Sequence, residues 1–335
     1  MSDLVVLREE PLCAETPLAL QRDRLTSNEH FYVRNNFPVP TARWLELSVG
    51  GAVANPHQYS LEALAELPQE ELTVTLECAG NGRAFLDPPA PGEQWGLGAV
   101  ATAAWTGPRL RDLLEAAAPS PDTVEILFEA ADGFARSLPL ARALEDDVLL
   151  ALQMNWEPLP RDHGAPVRLL VGGWYGMASV KWLNRVSAIT EPFSGHFQKE
   201  RYVIGEEPVR WIAPRALITS PAVGTEVSLE THSVRGYAWS ADGGARRVEV
   251  SADGGATWHL AQLLDEPSRH AWSRWEWAWT PETTGPFELL ARAYDASGVQ
   301  PFQARWNQLG YVNNPIVPHR LTVRGQAIPP GKNPG

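Results

Sequence analysis

Cys78 lies in LECAGNGRAF, where a short extended run meets Ala-Gly-Asn-Gly-Arg. Gly80, Asn81 and Gly82 let the backbone turn sharply and approach a ligand closely, and Arg83 supplies positive potential that favours a thiolate. The commoner fate of a cysteine is an inert buried thiol, so this stretch alone leaves an inert and a reactive or ligating cysteine both open. Three other stretches place charge oddly. In FYVRNNFPVP, Arg34 sits between apolar residues ahead of two prolines. In LPRDHGAPVRLLVGG, His163 and Arg168 flank a Gly-Ala-Pro turn that runs straight into an apolar strand, and in MASVKWLNRV Lys181 is embedded in a strand-like run. Isolated cations entering apolar strands are costly unless paired. A shared buried polyanion would account for all of them.

The rest of the chain limits what such a site can be. Its 335 residues suffice for two domains with cores of their own, and 44% hydrophobic with 20% charged residues is ordinary for a globular protein. A net charge of −12 without basic runs argues against nucleic acid as a partner. An anionic substrate then needs a local basic pocket. Two cysteines make neither a disulfide framework nor a zinc or iron–sulfur set. The N-terminal stretch is acidic and broken by Pro11 and Pro17, and no segment approaches the roughly 20 apolar residues of a membrane span. The expectation is a cytoplasmic protein with no membrane partner, or a periplasmic one if a leader was removed.

The elements that must position these residues follow a coarse pattern. Residues 1–30 read as an irregular entry segment. From 31 to 212, short β-type runs (TVTLECA, TVEILFEA, PVRLLVGG) alternate with helical pieces (SLEALAEL, PRLRDLLEAAA, LPLARALE), without a βαβ rhythm or a phosphate-loop motif. That is a mixed α+β domain. From 213 to 325, alternation in RRVEVSADGG and SRWEWAWTP, with DGG and DASG turns, suggests an immunoglobulin-like sandwich. SADGGATW is read as a hairpin turn, since one such box cannot build a propeller. Residues 326–335, rich in Gly and Pro, form a tail.

In this order FYVRNNFPVP, LECAGNGR, MNWEPLPRDHGAPVRLLV and SVKWLNRV, followed by an immunoglobulin-like domain, resemble the sulfite oxidase family of molybdopterin-dependent oxidoreductases across roughly residues 28 to 325. The resemblance implies a molybdenum–molybdopterin cofactor with Cys78 as its metal ligand, a role that suits a soft thiolate. It implies that Arg34, Asn35, Asn36, Asp132, His163, Arg168, Ser179 and Lys181 surround the cofactor. Arg34, Arg83, Trp105 and Tyr202 are implied to form the substrate side. Several positions depart from the family pattern, Gly82 and Met177, each at or near a usual arginine, among them. Asn36 and Ser179 stand at usual histidines, and Leu309 stands at a usual arginine.

The implied activity is oxidation of sulfite to sulfate, with electrons passed to a separate acceptor, cytochrome-type or other, because no haem module is present. Leu309 keeps open an alternative: reductive oxygen-atom transfer on nitrate or an S- or N-oxide. The 213–325 domain is implied to join two copies into a homodimer.

Overall fold

Proline removes a backbone donor and ends helices, and 29 prolines leave this chain little room for long ones. A computed structural model describes residues 3–41, 46–241 and 243–325. Among these the protein is mostly β, with a few short helices, so the α+β expectation holds only in that coarser form. SLEALAEL gives the helix Leu61–Glu66, capped by the Ser60 hydroxyl, which accepts from the Ala63 N–H at 3.1 Å. PRLRDLLEAAA gives Leu110–Ala117, which buries Leu110, Leu113 and Leu114 on one face. LPLARALE supplies a single turn, Leu140–Ala143.

The entry segment is not irregular. Val5–Arg8 and Cys13–Glu15 form a three-stranded antiparallel sheet with Val33–Arg34, whose register sets Cys13 opposite Arg34. Pro11 and Pro17, which mark the stretch as a loop in sequence, fall just outside the strands.

The chain divides into two units. The first holds the residues up to 213 together with 269–271 and 304–313, and the second holds the remainder. In the first unit, Glu70–Glu77 and Val100–Gly107 pair antiparallel without interruption, from Glu70 opposite Gly107 to Glu77 opposite Val100. Cys78 is therefore the residue at which the chain leaves the sheet. A five-stranded sheet runs in the order His57–Ser60, Glu46–Gly51, Leu183–Ile189, Glu125–Ala130, Ala135–Pro139. Arg168–Val171 pairs with Val148–Ala151, and both strands are wholly buried. The core beneath the site gathers Val74, Leu76, Trp95, Trp105 and Leu170.

In the second unit one sheet runs Arg215–Ser220, His232–Trp239, Ser273–Trp279, Gln262–Leu263. The other runs Glu226–Val227, His319–Val323, Gly285–Tyr294, Arg247–Ser251, His259–Leu260. Its core includes Val248, Val250, Trp275, Leu289 and Leu321. SADGGATW is a turn, in which Gly254 and Gly255 take φ values of 72° and 90°. The Asp253 carboxylate closes it by accepting the Thr257 N–H at 2.9 Å and hydroxyl at 2.6 Å. No helix among the described residues is long and apolar enough to cross a membrane. The expected tail, 326–335, lies outside the described residues.

Candidate active site

The turn at Cys78 is held by backbone and by one side chain. The Cys78 N–H donates to the Ala99 carbonyl at 2.9 Å, and its carbonyl accepts the Asn81 N–H at 2.9 Å. Asn81 fastens the turn to both flanking strands: its Nδ2 donates to Glu77 Oε1 at 3.0 Å, and its Oδ1 accepts the Ala99 N–H at 3.2 Å. Gly82 adopts φ 83°, which glycine takes without strain. The thiol is 7% exposed and faces a cavity. Burial pushes it above the usual thiol range, against the opposing pull of Arg34 and Arg83.

Beside Cys78 the cavity is lined by Arg34, Asn36 and Tyr202. Arg34 Nη2 donates to Asn36 Oδ1 at 2.8 Å, and the Tyr202 hydroxyl donates to the same oxygen at 3.3 Å. Glu93 Oε2 lies 3.7 Å from Arg34, and Glu93 Oε1 is 2.8 Å from Arg8, so two guanidinium groups share one carboxylate. Burial would weaken the charge on Arg34, but Tyr202, Cys78 and Glu93 together hold its pKa above the ordinary value. Tyr202 sits at φ 55°, a left-handed conformation that is sparsely populated outside glycine. Its ring stacks on Tyr311 with centroids 5.3 Å apart.

Further along, the lining passes to Asn35, Asp132, His163, Arg168, Ser179 and Lys181. His163 Nε2 meets the Asn28 carbonyl at 3.0 Å, and Arg168 Nη1 donates to the His163 carbonyl at 3.1 Å. Lys181 donates to the Asp162 carbonyl at 2.8 Å and to Asn35 Oδ1. Ser179 Oγ accepts the Val171 N–H at 3.0 Å, which leaves its own proton to donate. Burial dominates the electrostatics here. It pushes His163 down to about 3 and Arg168 to about 10, and holds Lys181 well below the usual ammonium range. The same burial raises the Asp132 carboxyl.

Two residues expected on the substrate side are not in the cavity lining. Arg83 donates from Nε and Nη2 to the Leu309 carbonyl, at 3.3 and 3.0 Å, and from Nη1 to the Glu93 carbonyl at 2.8 Å. Those three bonds turn its guanidinium to backbone oxygens and over the Tyr311 ring. Trp105 is wholly buried, and its indole N–H donates to the Val74 carbonyl at 3.4 Å. It packs beneath Arg168, 5.1 Å from ring centroid to guanidinium carbon, and so supports a cation without reaching the opening. The aromatic residue beside the Cys78 turn is Trp95. Its carbonyl accepts the Ala84 N–H at 3.1 Å, and its buried indole N–H has no partner. Trp95 and Tyr311 were not singled out from the sequence, because neither belongs to a motif and each reaches the site through tertiary pairing. Phe134 also lines the cavity and carried no signal beyond ordinary core composition, and Tyr32, inside FYVRNNFPVP, lines it without having been singled out there.

The model of the oxidoreductase molybdopterin binding domain matches residues 36–197, and that of the Mo-co oxidoreductase dimerisation domain matches residues 208–325. Sulfite oxidase of Arabidopsis thaliana is 32% identical over 371 residues, covering 96% of this chain and 94% of that protein. The chain belongs to the sulfite oxidase family. The mitochondrial sulfite oxidase of Rattus norvegicus is 37% identical over 360 residues, and the chain covers 65% of that relative's length. Among solved structures, the sulfane dehydrogenase SoxCD of Paracoccus pantotrophus superposes with a TM-score of 0.80 at 26% identity, covering 91% of this chain and 83% of that one.

The family's cofactor, molybdenum carried by molybdopterin, fits what the cavity offers. Arg34 Nη1, Asn35 Nδ2 and Arg168 Nε are buried without a hydrogen-bond partner, and all three are donors. Buried donors left unmade cost free energy, and a bound polyanion would satisfy them. Cys78 adds one soft donor atom of the kind that such a metal takes.

Proposed function

We propose that this chain is a molybdenum-dependent oxidoreductase that oxidises sulfite to sulfate and hands the electrons to a separate acceptor. The observation that carries the reading is the single thiol of Cys78, sharing one cavity with unpartnered cationic donors. Among the described residues no group of three or more His, Cys, Asp or Glu is arranged to hold a metal. By its resemblance to the family, and with its thiol on the cavity, Cys78 would be the residue that holds the metal of the cofactor.

When bound, the cofactor supplies the two-electron oxygen-atom chemistry, and the protein supplies position and field. His163, kept neutral by burial, orients through its ring while Arg168 and Lys181 neutralise the pterin phosphate. Ser179 and Asn35 offer neutral donors, and Asp132 borders the pterin. Arg34 holds the substrate anion beside Cys78, and Asn36 fixes the direction of the Arg34 fork. The Tyr202 hydroxyl hydrogen-bonds the substrate and carries its proton. Arg83 holds the Cys78 turn and lends its field rather than a contact.

The second unit, with its two sheets and turn-rich connections, is read as an immunoglobulin-like sandwich that joins two copies. The acceptor is a separate redox protein, of which a cytochrome is one example.

The test is metal analysis joined to turnover. The purified protein should hold about one molybdenum per chain and oxidise sulfite with an artificial acceptor. Cys78→Ser should fold and lose activity, since a hydroxyl ionises far less readily than a thiol. A fully active serine variant would sink the assignment. A parent that ignores sulfite but reduces nitrate or a sulfoxide would replace it with the reductive reading.

A further inference from the structure

Near Cys78 the number of cations able to touch an anion is smaller than the motifs suggest. Arg83 lies on the Cys78 turn, but its N–H groups are directed to the carbonyls of Leu309 and Glu93 and it does not line the cavity. A Cβ on Gly310 would lie 2.9 Å from Arg83 Nε, so the returning segment closes over the guanidinium. Leu309 contributes its carbonyl oxygen and no charge. Arg168 and Lys181 line the cavity, yet they belong with His163, Asp162 and Asn35. The charges acting most strongly on Cys78 are those of Arg34, Arg83 and Glu93. With the pterin occupying the Arg168 and Lys181 side, one guanidinium remains to face a substrate.

That guanidinium has one terminal nitrogen without a partner. Arg34 Nη2 is engaged by Asn36 Oδ1, with Glu93 behind it, while Nη1 is buried and unpartnered. Its neighbours in the lining are neutral. Asn36 carries an amide where a histidine could have added a second cation. Tyr202 directs its proton to Asn36, which leaves its oxygen lone pairs as acceptors. One donor edge beside an acceptor oxygen suits an oxyanion that carries one negative charge and one proton. A dianion would leave a charge uncompensated in a buried site.

We infer that the site selects a singly charged oxyanion over a doubly charged one, hydrogensulfite rather than sulfite, with Arg34 as the contact and Asn36 as the residue that aims it. The inference rests on the proposed sulfite chemistry for the name of the substrate, but not for its charge.

Two redox-inert anions of similar shape separate the cases: methanesulfonate, with one charge, and sulfate, with two. Calorimetric titration of the holoenzyme at mildly alkaline pH should find methanesulfonate bound more tightly than sulfate. Arg34→Gln should weaken methanesulfonate by roughly 10- to 150-fold, the loss of one charge-assisted contact. Arg34→Lys, which keeps the charge without the fork, should fall between. Sulfate binding as tightly as methanesulfonate, or more tightly, would overturn the inference. So would failure of both anions to bind, or binding that ignores both Arg34 variants. If the variants do not fold, the ratio in the unaltered protein decides. An enzyme that turns over sulfite yet prefers sulfate keeps the proposed reaction and loses this inference. One that prefers methanesulfonate and leaves sulfite untouched does the reverse.

Discussion

The turn at Cys78 depends on a methyl group that is missing. A Cβ on Gly80 would lie 2.5 Å from Arg83 Nη2 and 2.6 Å from its Cζ, and three hydrogen bonds hold that guanidinium in place. Gly80→Ala should therefore cost about 1 to 3 kcal/mol as an overpacked site. It should lower Tm by about 2 to 4 °C for each kcal/mol. Thermal unfolding reads this directly, and an unchanged Tm would mean that Arg83 gives way freely. Lys181 tests the opposite strain. In cofactor-free protein its ammonium is desolvated, so Lys181→Met should leave that form as stable or more so, while molybdenum content falls. A variant that keeps full metal content would free Lys181 of any part in holding the pterin. At this scale much was legible: an arginine, a lysine and a histidine each entering an apolar run can be seen in the letters. The direction of Arg83 could not be, because Leu309, more than two hundred residues on, sets it.

The strand Arg168–Val171 and the turn before it gather buried polar groups that must fold uncharged or find a partner. His163 is the clearest case, since burial pushes it down to about 3, far below its ordinary value. The unfolded chain takes up its proton first as pH falls. The stabilisation is therefore present above about pH 6.5 and is lost from there towards pH 3, at up to ~1.4 kcal/mol per pH unit. Denaturant unfolding of the cofactor-free protein across that range, compared with His163→Gln, isolates the contribution. Equal slopes in the two proteins would show that His163 titrates normally. Element prediction succeeded where periodicity was strong, at Glu70–Glu77 and at Leu110–Ala117. It failed in the first thirty residues, where strands of three and four residues between prolines carry too few alternations to register. Trp95 and Tyr311 escaped for a different reason: each approaches the site across a turn, and no local period encodes that.

For the whole molecule the expectation is two chains. Sedimentation at micromolar concentration should find a homodimer held through 213–325, and a monomer there would remove the pairing role from the second unit. The buried tryptophans of the second unit do not supply the surface for that pairing. Trp239, Trp272, Trp275 and Trp279 are buried, and among the described residues the large apolar side chains the unit exposes are instead Val223, Leu229, Leu260, Leu264, Val299 and Phe302. The change in strand rhythm near residue 213 is the one local sign of a boundary that the letters carry. The return of 304–313 to the first unit was not legible, since nothing in its composition says which neighbour it joins. The chain's two sulfhydryls also divide by address. Cys13 is sealed at 0% exposure behind Arg8, whereas Cys78 opens on the cavity. An alkylating reagent small enough to enter the cavity, applied to native protein at alkaline pH, therefore has one target, and a seated cofactor takes that target away. Counting alkylated cysteines by mass, molecule by molecule, becomes a census of empty and filled sites in a single preparation, with no metal assay and no substrate.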